Sequence, residues 1–116
     1  MNSELEDAKR RLQAAGLTVR TTTEDSLWIA GHLTELGDGL RLSHDACALM
    51  AKANGEFVGV FPSLGHMTIE VPGSIPDLTF LILATYLRHR ELGGEFPQAV
   101  GVVLRDAVPS REAVVA

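Results

Sequence analysis

The sequence predicts an α+β fold in a single domain, with a short, mostly antiparallel sheet packed against a long apolar helix in the C-terminal half and a shorter N-terminal helix. Three observations lead there. The 116-residue chain is long enough to bury one working core without disulfides or metal. Its 46% hydrophobic and 22% charged residues are an ordinary globular balance. From Glu56 to Gly94, a glycine-centred apolar run (EFVGVFP), an alternating run (HMTIEV) and a Pro-Gly turn feed the stretch LTFLILATYL, with no Lys or Arg between Lys52 and Arg88. The domain is expected over residues 1–108, with a frayed tail over 109–116.

The elements follow in order. Ser3 with Glu6 three residues later is a capping-box signature, and Leu5, Ala8, Leu12 and Ala15 recur at helical spacing before Gly16. Leu17–Thr22, rich in β-branched residues, predicts a strand that turns at Glu24-Asp25-Ser26 into a second strand, Leu27–Leu33, forming a hairpin. Gly37-Asp38-Gly39 is turn chemistry, and Leu40–Leu42 is at most a short strand. Ser43–Asn54 reads two ways. Ser43 suits a helix cap, ALMAKA has high helical propensity and Gly55 suits a C-terminal stop, yet Asn54-Gly55 is also a strong hairpin signal. The helix is preferred, because Ala and Lys are poor strand formers.

Further on, Phe57–Phe61, apolar on both faces, predicts a central strand, and Met67, Ile69 and Val71 alternate with Thr68 and Glu70 as a half-buried one. Pro62-Ser63-Leu64-Gly65 joins them. Ser74, Pro76 and Asp77 start the long helix, which runs to about Leu92 before Gly93-Gly94. Leu78, Leu81, Ile82 and Thr85 form one stripe on it; Phe80, Leu83, Ala84 and Leu87 form another, so the helix needs cover beyond its sheet side. Ala99–Leu104 predicts a last strand.

Charge narrows the function classes. The net charge of −5 is spread over both halves, and Glu24, Asp25, Glu35 and Asp38 lie between Arg20 and Arg41 with no Lys or Arg among them. A phosphate-binding surface needs the opposite sign, so direct nucleic-acid binding is not expected. Docking onto a basic protein surface would be steered by this charge. The longest apolar stretch, Leu78–Leu87, is about half what a membrane span needs. With one cysteine and an N-terminus lacking a signal-like apolar run, the expected compartment is the cytoplasm.

No catalytic, cofactor-binding or metal-ligating set emerges. Ser43-His44-Asp45 carries the letters of a hydrolytic triad, but adjacent residues cannot converge as a triad must. Cys47 would be a nucleophile only if activated; a buried small apolar side chain is its ordinary role. The histidines, His32, His44, His66 and His89, show neither metal-ligand spacing nor a cysteine cluster, and no Gly-rich nucleotide loop is present. What remains is contact chemistry: Leu64 and His66 at a strand connection, and Trp28, which is either core or, if exposed, a binding anchor.

The segment Gly55–Leu104, with FVGVFPSLGH, EVPGSIPDLTFLILATYLRH and GGEFPQAVGVVL, resembles the C-terminal half of small α+β immunity proteins of bacterial polymorphic-toxin systems. The resemblance implies short strands, a Pro-Gly turn, a long helix, a glycine and a final strand. In function it implies a cytoplasmic inhibitor without catalysis or cofactor, which neutralises a cognate toxin domain by covering its active site. Glu24, Asp25, Glu35, Asp38, Leu64 and His66 are the candidate partner-binding residues on the chain's own features. Two other readings stand beside it: a small enzyme or ligand-binding domain with a histidine-containing pocket, and a homodimer built on the excess apolar face of the long helix.

Overall fold

The computed structural model describes residues 3–23, 25–30, 45–65 and 67–107. Helix α1 (Ser3–Ala14) precedes strands β1 (Thr18–Thr23), β2 (Ser26–Ala30), β3 (Ala46–Ala51), β4 (Phe57–Ser63) and β5 (Met67–Pro72), and helices α2 (Ile75–Leu92) and α3 (Phe96–Ala107) complete the described chain. The five strands form one antiparallel sheet in the order β1-β2-β3-β4-β5, each beside its sequence neighbour. The expected α+β architecture, with helices packed on a mostly antiparallel sheet, is the observed one.

All three helices lie on one face of the sheet. Alternation along the strands sends Leu27, Ile29, Cys47, Leu49 and Phe61 to that face, where they meet Leu5 and Leu12 of α1, Leu78 and Ile82 of α2, and Val100 of α3. Tyr86 of α2 reaches across this core, its hydroxyl proton shared between the carbonyls of Ile29 (2.9 Å) and Asp45 (3.0 Å). The buried threonines Thr79 and Thr85 satisfy their hydroxyls on the Ile75 and Leu81 carbonyls one turn back.

Ser43–Asn54 is not a helix where it is described: Ala46–Ala51 is an interior strand. The alanines are there for space. Trp28 pairs directly with Ala48 and is buried among Ala30, Ala46 and Ala48 on the face away from the helices, so the small side chains accommodate the indole. Tertiary context overrides helical propensity at such a site. Trp28 is thus core, with the Arg20 guanidinium 5.3 Å from its ring on the neighbouring strand. Asn54-Gly55 acts as the hairpin signal. Gly55 adopts φ +85° and donates to the Lys52 carbonyl (2.9 Å), and Asn54 Oδ1 accepts the Glu56 amide (3.0 Å).

Ala99–Leu104 is likewise not a strand but part of α3. Pro97 sits in its first turn, where a missing N–H is harmless, and Gln98 Oε1 reaches back to accept the Glu95 amide (3.3 Å), half of a capping box. Phe96, Ala99, Val100 and Val103 then fall on one buried face. Gly93 and Gly94, both at positive φ (69° and 72°), reverse the chain between α2 and α3. The third correction concerns β5. It is not half-buried: Met67 and Ile69 lie on the helix side but are 66% and 37% exposed, because the helix layer stops short of this strand.

Candidate functional site

Of the residues expected to meet a partner, Asp25 is exposed in the β1–β2 turn, and Leu64 is 61% exposed in the β4–β5 turn. The strand registers put these turns at opposite ends of the sheet, Asp25 beside Ala51 and Leu64 just beyond the Ser63–Met67 pair. They do not share a surface. Glu24, Glu35, Asp38 and His66 lie outside the described residues, as do His32, Ser43, His44 and the 109–116 tail.

The described titratable groups with catalytic potential are tied into structure. Cys47 is fully buried on β3, and burial pushes its thiol well above the usual range, opposite to what a thiolate nucleophile needs. Burial likewise raises the Tyr86 phenol and keeps it neutral as a donor to the carbonyls of Ile29 and Asp45. His89 hydrogen-bonds the Gly94 carbonyl (3.1 Å) and meets the Phe96 ring edge-on at 5.4 Å. Among the described residues, no group of three or more His, Cys, Asp or Glu side chains is placed to hold a metal ion.

Among the described residues, a concavity lies between α2 and α3, and it follows from the composition of α2. One side of that helix is spent on the core through Ile75, Leu78, Ile82 and Tyr86, leaving the rest of a nearly all-apolar sequence to be covered by its neighbours. α3 covers Leu81 and Ala84 only in part. The result is an open groove of about 420 Å³ floored by Leu81, Ala84 and Val103 and flanked by Phe80 and Leu87, which are 70% and 56% exposed. One end carries charge: Arg88 reaches Glu91 (3.4 Å) on its own helix and Asp106 (3.6 Å) across the groove. These exposed pairs contribute little to stability, but they fix the sign of the rim, two carboxylates around one guanidinium.

The groove offers mainly apolar area, with its charged groups gathered at one end. Large aromatic and aliphatic side chains left open beside a polar rim are the composition of a contact site rather than of a random surface. The long apolar run of α2 was visible in the sequence, but its groove was not, since the opposite wall is α3, a segment expected to be a strand. No protein-family model matches the chain, and no curated protein or solved structure matches it significantly.

Proposed function

We propose that this protein is a binding module that docks an amphipathic helix of a basic partner protein in the α2–α3 groove, and that it acts as a cytoplasmic immunity-type inhibitor of a cognate bacterial toxin domain. The observation that carries the reading is the exposure of Phe80 and Leu87 along a groove with a net-acidic end. Phe80 and Leu87 would pack against the partner's apolar stripe, each burial worth roughly 1.5–3 kcal/mol before ordering costs. Glu91 and Asp106 would meet its Lys or Arg residues, and the chain's net charge of −5 would speed encounter. The choice of partner class rests on the resemblance of Gly55–Leu104 to immunity proteins, which holds for the strands, the Pro-Gly turn and the long helix but not for the final strand, here the helix α3. Inhibition would be steric, with no chemical step in this chain.

The test is to identify the gene adjacent to its own and, if it encodes a toxin domain, to co-express the two, purify the complex and measure binding and cell survival. Phe80→Ser combined with Leu87→Ser is expected to weaken the complex by about 100-fold or more, mainly through faster dissociation, and to abolish protection. Changing Glu24, Asp25, Glu35 and Asp38 to their amides is expected to slow association and flatten its salt dependence. Wild-type affinity in the Phe80/Leu87 variant would remove the groove from the interface, and a neighbouring toxin that is not bound at all would remove the immunity reading.

A further inference from the structure

The sheet has two edges, and they are finished differently. On β1 the register with β2 shifts between Thr21 and Thr23, a bulge-type irregularity, and Lys9 of α1 reaches over the strand to Thr21 Oγ1 (3.4 Å). Bulges and covering lysines are ordinary means of keeping an edge from pairing. β5 has neither. Its pairing with β4 runs without a shift from Val58↔Pro72 to Ser63↔Met67, and Met67, Thr68, Ile69 and Glu70 are exposed on both faces of the sheet.

The backbone polarity of this edge, which no strand among the described residues pairs with, can be read from the ladder. Gly73 donates to the Phe57 carbonyl (3.3 Å), so the odd-numbered residues of β4 and β5 are the mutually bonded pairs. Lys52 donates to the Glu56 carbonyl (2.7 Å), which assigns the even-numbered residues of β4 to β3; that ladder stops at Ala48↔Val60, where the next bonded position would require the N–H that Pro62 lacks. It follows that Met67, Ile69 and Val71 spend their backbone groups on β4, while the N–H and C=O of Thr68 and Glu70 point outward.

We infer that β5 pairs antiparallel with β5 of a second copy of this chain about a two-fold axis at Ile69, joining two sheets into one. In that register Thr68 and Glu70 of each copy exchange both backbone bonds with Glu70 and Thr68 of the other, which uses the outward groups on both edges. Ile69 meets its symmetry mate at the closer, non-bonded type of pair, flanked by Met67 against Val71, so the exposed apolar side chains on the helix side cover one another. On the opposite face each Glu70 carboxylate stands across from a Thr68 hydroxyl rather than from its mate, and Lys52 of the same chain already partners it at 3.8 Å. A two-fold at Glu70 would set the carboxylates directly opposed, and registers that pair odd with even residues would mismatch the backbone groups. Charge thus favours the two-fold at Ile69 over the one at Glu70, and the arrangement is independent of the α2–α3 groove.

Sedimentation equilibrium and amide hydrogen exchange test this on the full chain. The wild type is expected at twice the 12.5 kDa chain mass, with concentration-dependent protection of the Thr68 and Glu70 amides. Thr68→Pro removes an outward N–H without touching the β4 ladder and is expected to raise the dimer dissociation constant by about tenfold or more. Ile69→Lys, which keeps the backbone but opposes two like charges, is expected to do the same should the proline variant fail to fold. A wild type that stays monomeric, a dimer indifferent to both substitutions, or a dimer lost instead in Phe80→Ser/Leu87→Ser would overturn the inference.

Discussion

Phe61→Ala is expected to destabilise the fold by about 3–5 kcal/mol, the largest effect of any single truncation in this core. Phe61 is fully buried on the helix side of β4 and is the largest of the fully buried side chains. Its ring lies against Gly59, which leaves it room by having no side chain. A Cβ added to Gly59 would stand 2.9 Å from Phe61 Cε1 and 3.3 Å from Leu78 Cδ2, so glycine is needed there for space. Gly59→Ala should therefore crowd the same site and cost about 1–3 kcal/mol. Combined with Phe61→Ala its penalty should shrink, since the cavity left by the ring receives the new methyl group. Urea unfolding of the two single variants and the double variant measures all three quantities. A loss below about 1 kcal/mol for Phe61→Ala, or strict additivity in the double variant, would contradict this packing.

Ile82→Ala should cost about 2–5 kcal/mol, and Leu81→Ala distinctly less, although the two residues are adjacent on α2. Ile82 is inaccessible to solvent and packs between the sheet and the other helices, whereas Leu81 is half-buried on the floor of the groove. Truncating Leu81 leaves a widened groove that water can enter rather than a sealed void, which removes most of the cavity component. The comparison reads depth on one helix with neighbouring positions. Equal losses in the same unfolding assay would mean that the groove is closed over Leu81.

These two sites also show how far the residues alone reach. Ile82 falls in the apolar stripe that identifies α2 from sequence, and Phe61 in the run that identifies β4, because hydrophobic spacing reports local geometry directly. β3 looks helical by composition, against the hairpin signal of Asn54-Gly55, since its alanines answer to Trp28, a partner in a different strand that no local window contains. α3 was misread because AVGVVL has strand-like composition, while the helical signal, Phe96 with Ala99, Val100 and Val103 after Pro97 and Gln98, requires starting the count several residues earlier. β5 alternates like a half-buried strand, but alternation only says which side chains share a face; whether a helix reaches that face is a property of the whole layer. The candidate site inherits these limits. Phe80 and Leu87 were legible as an apolar stripe, whereas the wall that makes them a groove was not. Nor could the spacing of acidic residues disclose that Asp25 and Leu64 lie at opposite ends of the sheet.

The sequential order of the sheet has a consequence for how the molecule assembles. Every strand pairs with its neighbour in the chain, and within the continuous run Ala46–Ala107 the strand pairs and the α2–α3 contact close over short loops, with α3 packing back on β4. α1 is different: beside its local packing on β1 and β2 it meets α2, far along the chain, and that contact carries a large loop-closure cost. Docking of α1 on α2 should therefore come after the rate-limiting step. Leu5→Ala and Leu12→Ala are expected to speed unfolding while leaving the folding rate nearly unchanged, and Phe61→Ala to slow folding, a contrast read from the two arms of a denaturant chevron. Equal slowing of folding by all three would place α1 in the nucleus instead.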